Sequence, residues 1–261
     1  MTDLRPAIVA LALAALTGVI DVRAAETPAI AAASDLQFAL TDVAEAFHAA
    51  DGRTVRLTFG SSGNFFRQIQ EGAPFEIFLS ADEEFVFDLA ALGLTEGDGD
   101  LYAVGRIVLF VPHGSSLRPN GTLEDLRGAL DRGRVTRFAI ANPEHAPYGR
   151  RAKEALRHAG LWDAIEGKLV LGENVSQAAQ FATAGGAEGG IIAYSLALSP
   201  SVSDLGAYRL IPEEWHQPLR QRMVLLDAAG ETARAFYAFL MSEPGRAIMH
   251  RYGFVLPGET S

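Results

Sequence analysis

Apolar runs of strand length alternate with segments of helical period along almost the whole chain. That alternation predicts an α/β architecture with largely parallel sheets. The strand-like runs are Ala29 to Ala33, Val55 to Phe59, Ile77 to Ser80, Ile107 to Val111, Phe138 to Ala141, Gly190 to Tyr194 and Arg222 to Leu226. Between them lie amphipathic stretches such as Leu36 to Ala50, where Leu36, Leu40, Val43, Ala44 and Phe47 share one helical face. Composition shifts to turn-rich or polar residues around Asp98 to Arg106 and again around Pro200 to Arg222. Chain crossings at those two places predict two lobes with a cleft between them.

Four strand-to-helix junctions carry small, hydroxyl or amide residues. They are Ala33-Ser34-Asp35, Gly60-Ser61-Ser62-Gly63, Ala146-Pro147-Tyr148-Gly149 and Asn174-Val175-Ser176. The first turn of a helix has unpaired N–H groups and the positive end of the macrodipole, so several such ends aimed at one point can hold an oxyanion without a cation. Ser34 with Gln37 has capping-box spacing, which leaves two readings: a cap for its own helix, or a hydroxyl facing a ligand. Asn174 with Gln177 repeats the spacing, and Pro147 suits a first helical position. Asp35 fits such a site only if its carboxylate points out of the cleft. The loop at 60–64 is neither a nucleophile elbow nor a phosphate-binding loop, since it lacks G-x-S-x-G and G-x-x-x-x-G-K-[ST].

Other chemistries find little support. The six histidines have no H-x-x-x-H or H-E-x-x-H spacing, and Cys is absent, so no thiolate metal site or disulfide framework is expected. No cation ligand set is predicted for a metal. Serines occur without an elbow or a histidine partner, so the chain is not read as an enzyme. The net charge of −10, with no basic stripe, argues against nucleic acid. Arg67, Arg150 and Arg151 follow the junctions and are read mainly as surface residues. The first 24 residues hold Arg5, an apolar run from Ala7 to Ile20 and a small-residue stop at Val22-Arg23-Ala24, the layout of a secretory signal peptide cleaved after Ala24.

The ordered combination A-A-A-S-D-L at 31–36, F-G-S-S-G-N at 59–64, E-G-A-P-F-E-I-F-L-S-A-D at 71–82, N-P-E-H-A-P-Y-G at 142–149, G-E-N-V at 172–175 and R-Y-G-F at 251–254 resembles the periplasmic molybdate-binding proteins of ABC importers. The resemblance implies a two-lobed type II periplasmic-binding-protein fold, each lobe a mostly parallel sheet flanked by helices. The expected segments are a signal peptide at 1–24, lobe I at 25–106 with 212–261, and lobe II at 107–211. It further implies a monomeric periplasmic receptor that captures molybdate or tungstate, needs no cofactor, and delivers its ligand to an inner-membrane permease. The competing reading is a receptor for sulfate, a phosphonate or a small carboxylate.

Carried onto this sequence, the resemblance makes Ser34 and Ser62 donors through hydroxyl and backbone N–H, and Tyr148 and Val175 donors through backbone N–H. Ser61 is a further candidate. A ligand tyrosine common in the family falls at Ala193 here, with Tyr194 one residue later, so Tyr194 is carried as a candidate whose strand parity is opposite. A site made only of donors favours a fully deprotonated dianion, and hydrogen phosphate is expected to bind poorly.

Overall fold

A computed structural model describes residues 27–259. The expected signal peptide lies outside the described residues. Two five-stranded sheets form the framework. The first has the order β2 (Arg56–Gly60), β1 (Ala29–Ala33), β3 (Ile77–Ser80), β10 (Leu219–Leu225), β4 (Asp100–Gly105). The second has the order β7 (Leu169–Gly172), β6 (Phe138–Ala141), β8 (Gly190–Ala193), β5 (Ile107–Pro112), β9 (Gly206–Leu210).

Both sheets follow one plan. Three parallel strands come first, β2-β1-β3 and β7-β6-β8, and the last two are antiparallel to their neighbours. By direction four strands of each sheet run one way and one, β10 or β5, runs against them, so the sheets are mixed and the expectation of mostly parallel strands holds. The reason for the reversed strand lies in the crossings: β4 passes through Arg106 directly into β5, and β9 returns through 211–218 to β10, so neither incoming strand arrives by a helical crossover.

Strands β1, β3, β6 and β8 are buried along their whole length, as continuous apolar runs predict for strands covered on both faces. Helices α1 (Gln37–Asp51), α2 (Ser62–Gln70) and α3 (Glu83–Ala91) follow β1, β2 and β3. In the second lobe come α4 (Glu124–Asp131), α5 (Pro147–His158), the short α6 (Trp162–Ile165), α7 (Val175–Thr183), α8 (Tyr194–Ala197) and α9 (Pro200–Ser203). The terminal helices α10 (Glu231–Met241) and α11 (Glu243–Arg251) return to pack on α1, where Phe47 meets Phe236 edge-on at 5.4 Å. Leu40, Val43 and Phe47 of the predicted α1 face are indeed buried in that core.

Strands β4, β7 and β9 were not evident as strand-like runs. All three lie at sheet edges, where half-exposed positions interrupt the apolar pattern. Among the described residues no helix is long and apolar enough to cross a membrane.

Candidate functional site

The four junctions meet where the two sheets face one another. β1 runs into a 3-10 turn at Ser34–Leu36, and β2 ends at Gly60 with Ser61 capping α2 through its side chain. β6 leads to Pro147 at the start of α5, and β7 leads to Asn174, which caps α7 by accepting from the Gln177 N–H at 3.1 Å. Ser34, Ser61, Ser62, Tyr148 and Val175 line a small cavity of about 10 Å3 between these ends, with Ala33, Gly60, Ala81 and Ala146 as its small walls. In this closed arrangement the space is that of about one water-sized sphere, so only a compact solute can be enclosed there.

Donors dominate the lining. Ser62 and Val175 are the first residues of their helices and Tyr148 the second of its own, so their N–H groups have no acceptor one turn back in the helix. Ser62 Oγ accepts from the Ala81 N–H at 2.9 Å, and Ser34 Oγ accepts from the Ser176 N–H at 3.3 Å. Each hydroxyl oxygen is thereby anchored while its proton stays available for a ligand. No Lys or Arg lines the cavity. Arg150 and Arg151 instead approach Asp82 of the opposite lobe at 3.3 and 3.9 Å, and Arg67 pairs with Asn64 on its own helix.

The lobes are closed on one another. The Gly63 N–H donates to the His145 carbonyl at 3.0 Å, Ser61 Oγ lies 3.0 Å from His145 Nδ1, and Ser176 Oγ bonds the Ser34 carbonyl and Gln37 Oε1 at 3.0 and 2.7 Å. His145 Nε2 in turn sits 3.2 Å from the Glu173 carboxylate. Gly63 is required for this approach, since a Cβ there would lie 2.5 Å from the His145 carbonyl oxygen. The pairing also engages the Ser61 hydroxyl with a side chain, unlike those of Ser34 and Ser62.

Asp35 is the one carboxylate of the lining, and it does not point out of the cleft. It is almost completely buried. Its Oδ2 accepts from the Tyr148 hydroxyl at 2.9 Å and from Gln221 Nε2 at 2.7 Å, while Oδ1 is buried with no protein partner among the described residues. Burial pushes its carboxyl up to about 6, against the opposing pull of the Gln221 and Tyr148 hydrogen bonds. Burial, reinforced by Asp35, likewise holds the Tyr148 phenol well above its ordinary range. The premise of a site built only from donors is therefore corrected, and the exclusion of hydrogen phosphate no longer follows from it.

Of the residues singled out from sequence, Ser34, Ser61, Ser62, Tyr148 and Val175 come together. Tyr194 does not. It starts α8 instead of ending β8, packs its ring 5.8 Å from that of Tyr208, and lines a separate groove with Arg106 and His250. The helical turn that begins at Tyr194 is the physical reason, because the residue leaves the strand there and its ring packs beside Tyr208. The capping-box reading of Ser34 is also corrected: no side-chain cap forms at its 3-10 turn, and Gln37 is bonded across the cleft by Ser176. Gln221 was missed, although a buried polar residue within the apolar pattern of β10 is a usable signal. Among the described residues no group of three or more His, Asp or Glu is placed to hold a metal ion.

Residues 29–255 match the family model described as bacterial extracellular solute-binding protein. A molybdate-binding protein ModA from Rhodobacter capsulatus is 34% identical over 249 residues, covering 94% of this chain and 95% of that protein. A ModA from Azotobacter vinelandii is 34% identical over 230 residues, covering 87% and 89%. The solved structure of the Azotobacter vinelandii periplasmic molybdate-binding protein superposes with a TM-score of 0.78 at 27% identity, covering 88% of this chain and 99% of that one.

Proposed function

The chain belongs to the bacterial extracellular solute-binding protein family, and from that premise we propose that it is the substrate-binding protein of an ABC transporter that captures molybdate or tungstate and hands it to a membrane permease. Supporting this reading is a cation-free cavity lined by residues of four helix starts, together with ModA relatives that match nearly the whole chain. Its ligands are the Ser34 and Ser62 hydroxyls and the backbone N–H groups of Ser34, Ser62, Tyr148 and Val175. Fixed dipoles of this kind are aligned before the anion arrives, so little reorganisation opposes binding. The acidic whole, at net charge −10, is outweighed locally by them.

In this reading the leader at 1–24 directs the chain to the periplasm, and the receptor works there as a monomer without a cofactor. Lobe I comprises 25–106 with 212–261 and lobe II comprises 107–211. An open form admits the anion, and the closed form is selected because it alone joins the donors of both lobes. The receptor binds and releases its solute unchanged; Ser61 and His145 join the lobes and perform no chemistry.

A ligand that binds only the folded state raises stability by about 2.7 kcal/mol at a hundredfold excess over Kd. Thermal unfolding of the purified mature protein is therefore expected to shift upward with molybdate and tungstate and much less with sulfate. Equal shifts for all three would remove the selectivity, and no shift with any would overturn the reading.

A further inference from the structure

Asp35 is anomalous for an oxyanion receptor. A carboxylate and a dianion brought into one water-poor cavity repel strongly, because the low local dielectric leaves their charges poorly screened. The groups packed around Asp35 offer no cation in relief. α5 presents the neutral Tyr148 phenol, and β10 presents the Gln221 amide. β4 presents Tyr102, whose hydroxyl donates to Gln221 Oε1 at 2.7 Å and whose phenol burial also holds neutral. α8 presents the Ser195 hydroxyl, which donates to the Asp35 carbonyl at 2.8 Å. No Lys, Arg or His hydrogen-bonds to Asp35 among the described residues.

The same network fixes where a proton must sit. Gln221 Oε1 is an acceptor for Tyr102, so its Nε2 is the group that faces Asp35 and Tyr148. Oδ2 then receives two donors and has no room for an acid proton pointing the same way. Oδ1, buried and unpartnered on a residue that lines the cavity, is the position left.

Resting on the receptor reading above, we propose that the protein captures its oxyanion together with one proton, taken from solvent onto Asp35 Oδ1, so that the resulting carboxylic acid donates to the bound dianion. The bookkeeping is simple: one O–H bond forms on Asp35 as the anion enters, and the same proton returns to water when it leaves. Asp35 thereby turns from a repelling charge into a further donor. An anion that brings its own proton, such as hydrogen phosphate, meets an ionised Asp35 that accepts it, and the total of one proton is unchanged.

The test is calorimetry with molybdate at pH 8, in buffers of differing ionisation enthalpy, on the full mature protein and on Asp35→Asn. Wild type is expected to take up about one proton per anion, and its affinity to weaken by as much as about tenfold per pH unit over the alkaline range. Asp35→Asn is expected to take up none. Wild-type heats independent of buffer would overturn the proposal, as would a proton still taken up by Asp35→Asn. Should the variant not fold, infrared difference spectra of wild type decide: a protonated carboxyl band appearing with molybdate supports the proposal, and its absence overturns it. Failure of wild type to bind molybdate at all would sink the receptor reading instead, so the two failures are distinct.

Discussion

Ser34 and Ser62 each give up their oxygen to a backbone N–H, one from across the cleft and one from the loop after β3. The Ser62 oxygen is thus occupied from within its own lobe, and the Ser34 oxygen only when the lobes are closed. Hydrogen bonds to charged groups contribute roughly 1.5 to 3 kcal/mol each. Replacing both serines with Ala is therefore expected to weaken molybdate binding at least about a hundredfold in calorimetry, with affinity unchanged if the anion sits elsewhere. That these serines, with Tyr148 and Val175, meet at one cavity was legible because each follows a strand at the start of a helical turn. What Ser34 bonds to was not legible, since S-x-x-Q describes a local cap and contains no trace of Ser176, 142 residues along the chain. Asp35 could be seen as a problem in the sequence, but its solution depends on Tyr148 and Gln221, which only folding brings together.

At the scale of elements, the start of α2 is where one lobe touches the other. Gly63 leaves room for the His145 carbonyl, and its N–H bonds that oxygen. Alanine is a better helix former than glycine, so Gly63→Ala is expected to leave the ligand-free protein at least as stable while blocking closure. Calorimetry should show molybdate affinity falling more than tenfold with little change in the unfolding temperature of the free protein; full affinity would mean that the closed contact is dispensable. The central strands β1, β3, β6 and β8 could be read directly because burial on both faces writes an unbroken apolar run. β4, β7 and β9 could not, since edge positions tolerate Asp100, Gly172 and Arg209. Which strand runs against the other four was also hidden. It depends on where the chain crosses between lobes, which the composition change near 98–106 marks as a place but not as a direction.

Across the whole molecule, closure joins several modest contacts around one small cavity. Asp82 meets Arg150 and Arg151 at its rim, and Arg150 lies 5.0 Å over the Phe85 ring. Those partly exposed ion pairs add little by themselves and are screened by salt. The buried donors need an anion to satisfy them, so ligand and closure are coupled. Small-angle X-ray scattering is expected to show the radius of gyration falling when molybdate is added to the ligand-free protein. An unchanged profile would mean that the closed form prevails without ligand, and that the site is preformed.

Strand β10 lies between β3 and β4, pairing Arg222 with Ser80 and Leu219 with Gly105. The first sheet consequently waits for residues encoded near the far end of the chain, and its longest-range pairings are slow to form. A polypeptide cut short before β10 is therefore expected to keep β4 without its neighbour and to leave that sheet unfinished.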